Sequence, residues 1–226
     1  MSPEERALFE YANHERQSEH LLLFRWDPNL AAAARLHSDR MASENAISHQ
    51  LAGEGDFEAR AISAGARFNE LAENVGEAGS VIEINIGWMN SPGHRANLMN
   101  PTLDSIGIGV AKRGEQFFAT QDFSRAVQAL TLDEQERKFG ALIRSFGIRL
   151  ESDSTDARRT CQSGDLDSVV KRATYRMIFV TADLASLPKK LKDEIDSGKY
   201  KIASVGACTG GEQTKTGMYR LAVLLY

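Results

Sequence analysis

Three side chains capable of ligand or acid–base chemistry sit where the chain changes direction: His49, Glu73 and His94. His49 lies in SHQ, within the Gly-rich polar stretch from Ile47 to Gly55. His94 lies in GWMNSPGHRANLMNP, Gly87 to Pro101, directly after a Ser-Pro-Gly break that ends one helix and opens another turn. Both are flanked by Ser, Gln, Gly or Pro near helix ends, a setting that projects a side chain into a cleft. Glu73, in NELAENVGEAG, follows a helix stop and has no lysine or arginine beside it, so it is either simply exposed or in use. Two imidazoles and a carboxylate make a zinc-type donor set with one position open for water. The same carboxylate is a candidate general base. The spacing is long-range, without a local signature such as H-E-x-x-H, and His94 has a plainer reading as a residue that closes its turn. His14, His20 and His37 fall inside helical segments among charged neighbours and read as structural.

The elements that must position these residues are legible in part. Ser2-Pro3-Glu4-Glu5 has a capping hydroxyl, a proline at the first helical position and a glutamate at the third, which predicts a first helix. Asp27-Pro28 repeats that grammar before Leu30, Ala33, Ala34, His37 and Met41, predicting a second helix to about Glu44. Phe57 to Ala64 offers a short helix stopped by Gly65, and Val81 to Asn90 another capped by Ser80. Ile106, Ile108 and Val110 alternate with Gly107, Gly109 and Ala111, and Phe117 to Phe123 follows across Arg113-Gly114-Glu115. That pattern predicts a β-hairpin with small residues on one face, where another layer packs closely.

From about Ala126 the grammar restarts, so the chain divides into residues 1–126 and a smaller α+β unit, 127–226, of unknown role. Thr131-Leu132-Asp133-Glu134 is a capping box for a helix to about Phe146, and Ser152 to Asp167 reads as polar and irregular. Tyr175 to Thr181, Tyr200 to Ala207 and Met218 to Tyr226 read as strands, and Leu187 to Ser197 as a helix. SVGACTGGEQ, Ser204 to Gln213, faintly echoes SIGIGVAKRGEQ, Ser105 to Gln116; two hairpins of similar turn chemistry account for this as well as duplication does and are the reading preferred. Cys161 and Cys208 lack C-x-x-C spacing and are either one disulfide or two free thiols.

The chain has 226 residues and a net charge of -4 without long like-charge runs, which argues against a nucleic-acid partner. No apolar stretch approaches the roughly 20 residues of a membrane span, so no integral membrane segment is expected.

Taken in order from Trp26 to Ser124, WDPNLAAAARLHSDRMA, SHQ, AENV, GWMNSPGHRANLMNP, SIGIGV and FFATQDFS resemble a bacterial member of the CAP superfamily. The group is named for cysteine-rich secretory proteins, antigen 5 and plant pathogenesis-related proteins, and its domain is also called SCP. The resemblance covers about residues 4 to 125; residues 127–226 carry no motif of it. It implies an α+β fold, a three-layer α-β-α sandwich with a large central cleft. In the family that cleft carries two histidines and two glutamates, and in several members the histidines bind zinc or another divalent ion. His49, Glu73 and His94 match the first histidine, one glutamate and the second histidine. The other glutamate has no match: Met89, Asn90 and Ser91 follow Trp88, and Glu83 reads as helix surface.

The resemblance therefore implies a secreted or cell-envelope protein, extracellular or periplasmic once a leader is removed. Its cleft would bind a divalent metal through His49, Glu73 and His94, together with a small-molecule, lipid, peptide or protein ligand. The alternative is a metal-dependent, protease-like hydrolase with Glu73 as general base, a role the missing second carboxylate weakens.

Overall fold

Side-chain caps set most helix starts. In the computed structural model, which describes residues 1–166, 172–210 and 216–226, Ser2 and Glu5 form a complete capping box at the head of α1 (Pro3–Ser18). Asp27 accepts from the backbone N–H groups of Asn29 and Leu30 to open α2 (Pro28–Glu44), and Asp56 accepts from Ala59 to open α3 (Phe57–Ser63). Ser80 caps α4 (Val81–Asn90), after which Pro92 starts α5 (Pro92–Leu98). Between these helices run β1 (Arg25–Trp26), β2 (Phe68–Ala78), β3 (Ser105–Arg113) and β4 (Gln116–Ala126).

The strands form one sheet in the order β1-β3-β4-β2, with β1 parallel to β3 and the other pairs antiparallel. Ile106, Ile108 and Phe123 face α1 and α4, in a core with Leu8, Ile84 and Trp88. Gly107 and Gly109 face α2. A Cβ built on Gly107 would stand 2.1 Å from the Ala31 nitrogen, and one on Gly109 would stand 2.2 Å from the Ala34 carbonyl carbon. Helices thus cover both faces of the sheet, giving the three-layer α-β-α sandwich. β2 is an edge strand, and residues from both layers can meet along it.

Sequence patterning missed β2 because its two central residues, Glu73 and Asn74, are buried and polar and break the alternation of a half-buried strand.

The chain splits into two compact units, Met1–Ala126 and Val127–Tyr226. The second comprises α6 (Leu132–Ser145), β5 (Arg149–Leu150), α7 (Thr155–Ser163), β6 (Tyr175–Thr181), α8 (Lys189–Asp196), β7 (Ile202–Cys208) and β8 (Tyr219–Leu225). The segment read as irregular from Ser152 therefore contains a helix, α7, which turns Ala157, Thr160 and Cys161 inward.

The second sheet runs β5-β7-β8-β6, with β5 parallel to β7 and the other pairs antiparallel, the same order and senses as the first. The likeness reaches single residues. A Cβ on Gly206 would stand 2.2 Å from the Arg158 nitrogen of α7, as one on Gly107 meets Ala31 of α2. The echo between the segments beginning at Ser204 and Ser105 thus falls on equivalent strands of one repeated topology; residues 211–213 of it lie outside the described residues.

Cys161 and Cys208 are joined in a disulfide. Counting from the matched glycines, Cys208 occupies the place of Gly109 and Cys161 the place of Ala34. The bridge therefore ties strand to helix where the first unit uses a bare glycine approach. Closing a loop of 47 residues, it contributes about 4 kcal/mol in the chain-entropy picture.

The registers also pair Glu73 with Asp122 in the first sheet and Ile178 with Ala222 at the matching position of the second. Ile178 and Ala222 pack with the disulfide in one apolar cluster. All five histidines precede residue 95, so the imidazole chemistry belongs to the first unit.

One pH effect follows from packing in the first unit. Burial would raise the Glu5 carboxyl, but two hydrogen bonds from Arg35, at 2.6 and 2.7 Å, and one from the Ser2 N–H hold it below its ordinary value of 4.5. A depressed carboxylate stabilises the fold above its unfolded value, and that contribution is lost as pH falls through the folded value. The urea midpoint of the first unit should therefore decline below about pH 4.5, and Glu5→Gln should flatten that acid limb. An unchanged limb would remove Glu5 from the account.

Candidate functional site

His49 is delivered by the segment between α2 and α3. Asn45 adopts the left-handed conformation, φ 51°, and ends α2, turning the chain back along the sheet. The His49 ring then reaches β2, where Nδ1 donates to Glu73 Oε1 at 2.8 Å. Glu73 is buried, 4% exposed at its side chain, while the His49 side chain is 60% exposed. Because the carboxylate only accepts, Nδ1 donates this bond, which leaves Nε2 as the nitrogen pointed away from Glu73.

Glu73 has a basic partner that its own sequence neighbourhood did not reveal. Arg60, on α3, donates a short hydrogen bond to Glu73 Oε2 and further bonds to the carbonyls of His49, 3.0 Å, and Gly55, 3.1 Å. Of the two readings of Glu73, exposed or in use, the exposed one is thus corrected: the side chain is buried, and its basic partner lies thirteen residues away, outside its local sequence.

His94 comes from the opposite layer. Trp88 of α4 donates its indole N–H to the Val75 carbonyl at 2.9 Å, fixing the helix on β2 just before the Ser91-Pro92-Gly93 break. Asn74 then donates to the His94 carbonyl at 3.1 Å, while Asn97 donates to Asn74 Oδ1 at 2.9 Å and to the Glu73 carbonyl at 3.1 Å. Asn97 therefore ties α5 to the edge strand. Burial, and then the charge of nearby His49, hold the His94 imidazole below its ordinary 6.5, so it is neutral and able to donate a lone pair at physiological pH.

Directly across from Glu73 in the β2–β4 register lies Asp122, wholly buried, with neither carboxylate oxygen in an ordinary hydrogen bond. Burial, then the negative charge of Glu73, push its carboxyl well above the ordinary range, against the opposing pull of Arg60. Glu73, its neighbour across the strands, is instead bonded to Arg60 and His49. Sequence reading passed over Asp122, since FFATQDFS reads as an ordinary strand. Glu83 stays on the surface of α4.

The structure joins His49 to Glu73 and brings His94 near enough to feel the charge of His49. Among the described residues it does not gather three His, Cys, Asp or Glu side chains into one metal-holding group. What it offers a metal is a pair of imidazoles, with both Glu73 oxygens already engaged behind one of them. Such a pair suits a borderline divalent ion such as zinc completed by water or a ligand atom.

A family model described as "CAP: Cysteine-rich secretory protein family" matches residues 9–123, just over half of the chain. The chain belongs to this family. It is 32% identical over 124 residues to YkwD, an uncharacterized protein of Bacillus subtilis (strain 168), covering 54% of this chain and 48% of the relative. It is 28% identical over 123 residues to YlbC, an uncharacterized membrane protein of the same organism, covering 53% and 34%. The chain thus spans about half or less of the curated relatives it matches. Among solved structures, an extracellular SCP-domain protein from Bacillus anthracis superposes with a TM-score of 0.51 at 29% identity, over 55% of this chain and 44% of that one. An outer surface protein from Borrelia burgdorferi gives a TM-score of 0.51 at 21% identity, over 54% of this chain and 92% of that one, which speaks for the fold alone. No helix among the described residues is long and apolar enough to cross a membrane.

Proposed function

We propose that the first unit is an extracellular binding module that holds a divalent metal on His49 and His94 at the β2 edge of its sheet. The metal would present an open coordination position to a ligand in the cleft, a small molecule, lipid or peptide. The observation that carries this reading is the His49–Glu73 hydrogen bond, which uses Nδ1 and leaves Nε2 of a largely exposed side chain for a ligand bond. Carboxylate-backed histidines of this kind are the usual metal-ligating form, the carboxylate setting both tautomer and basicity. An extracellular setting draws support from the solved Bacillus anthracis relative described as an extracellular protein.

The metal would supply Lewis acidity at that open position. The chain's own residues do the rest: Glu73 orients His49, Asn74 and Asn97 seat α5, which carries His94, against the edge strand, and Arg60 pairs with Glu73. This division of labour favours a binding module over the alternative, a metal-dependent hydrolase with Glu73 as general base. A base needs a free oxygen within reach of water, and both Glu73 oxygens are occupied.

Glu73→Gln separates the two. The orienting role predicts a roughly 10- to 100-fold loss of zinc affinity by calorimetry, with no metal-dependent turnover of peptide or ester substrates in either protein. Turnover in the wild type that Glu73→Gln abolishes while zinc affinity holds would instead establish the hydrolase.

A further inference from the structure

Behind His49 a ring of charged and polar groups closes on itself. His37, on α2, is fully buried and uses both ring nitrogens. Nδ1 lies 2.9 Å from each Glu54 carboxylate oxygen, and Nε2 lies 2.8 Å from the Ser48 carbonyl. Glu54 also accepts from the Leu51 N–H at 3.1 Å and stands 3.7 Å from Arg60 Nη1. Arg60 in turn holds the His49 carbonyl and Glu73, and Glu73 holds the His49 ring. Two consecutive carbonyls, Ser48 and His49, are therefore gripped from the protein side by two different side chains, His37 and Arg60.

We propose that His37 is a positioning residue for His49: a buried imidazolium that, with Glu54 and Arg60, fixes the Ser48–Gly55 segment so that His49 presents Nε2 outward. A carbonyl oxygen only accepts, and so does an ionised carboxylate. His37 keeps both contacts only when both of its nitrogens carry protons. A neutral ring would leave one contact broken inside the protein, where an unmade hydrogen bond is costly.

The charges balance on this assignment, with His37 and Arg60 positive against Glu54 and Glu73 negative. Glu54 is independently held in its ionised form. Burial would raise its carboxyl, but His37, the Leu51 N–H and Arg60 outweigh that and lower it. Sequence reading assigned His37 a structural role. Its contact with the residue immediately before His49 makes that role specific to the site.

The test reads the histidines directly, by long-range nitrogen–proton NMR of the full chain near neutral pH. His37 should show the imidazolium pattern, and His49 the neutral form protonated on Nδ1. In His37→Gln, His49 should lose that single fixed form, and zinc affinity should fall roughly 10- to 100-fold, the usual effect of removing a group that orients a metal ligand.

Glu54→Gln, which keeps the shape and removes the charge, should shift His37 away from imidazolium and weaken zinc binding in the same direction. It decides the matter where His37→Gln does not fold. The zinc arm rests on the function proposed above, whereas the NMR arm does not. A wild type that binds no zinc would sink the metal reading and leave His37 to be judged on the His49 resonances. A neutral His37 in the native protein would overturn the inference. So would a folded variant whose His49 form is unchanged.

Discussion

Gly107→Ala is expected to cost about 4 kcal/mol or more, at the top of the range for single substitutions. The added methyl group would lie 2.1 Å from the Ala31 nitrogen and 2.3 Å from the Leu30 carbonyl carbon. Those are backbone atoms in the first turn of α2, so no rotamer change relieves the overlap and the helix itself must lift. That helix carries Leu30, Ala31, Ala34 and Met41 in the buried core, so lifting it opens packing along its length. Gly206→Ala should act in the same way on the second unit, through Ala157 and Arg158. Urea titrations of the full chain would show one transition moved in each variant, with the other in place. A Gly107→Ala protein within about 1 kcal/mol of wild type would contradict the close approach of α2 to the sheet.

Arg60→Met should cost about 3 to 5 kcal/mol, the range for removing one partner of a buried ion pair. Arg60 is 8% exposed at its side chain and faces Glu54 and Glu73, at 9% and 4%. Methionine keeps much of the volume but leaves two buried carboxylates without their shared cation, and two carbonyls, of His49 and Gly55, without their donor. Adding Glu73→Gln should recover part of the loss, because one stranded charge is then gone. Additive costs across the single and double variants would mean that Arg60 and Glu73 do not act as a pair.

The N-terminal fold was legible wherever a local rule operates. Ser2, Asp27 and Ser80 announce their helices through caps, and the Gly107–Gly109 alternation marks the face where α2 lies close. It was illegible at β2, whose central pair Glu73–Asn74 faces buried polar partners. The strand that looks least like a strand is the one that carries the site, as expected where function overrides the local pattern.

The site was legible to the same extent. His49 and His94 stood out because they flank breaks, and the resemblance to the family fixed their pairing with Glu73. Arg60, His37, Glu54 and Asp122 were invisible because their partners lie on other elements, at separations no local pattern encodes. In the second unit, the match of Gly206 to Gly107 surfaced in the sequence only as a faint echo, since Ile178 and Ala222 replace the residues that would have made it recognisable.

Whether His49 and His94 form a metal centre is decided by calorimetric titration of zinc at about pH 7.5, above the ordinary imidazole range, into the wild-type chain and into the His49→Ala, His94→Ala double variant. One site per chain is expected in the wild type and none in the double variant. Binding that survives both substitutions, or no binding in the wild type, would rule the metal centre out.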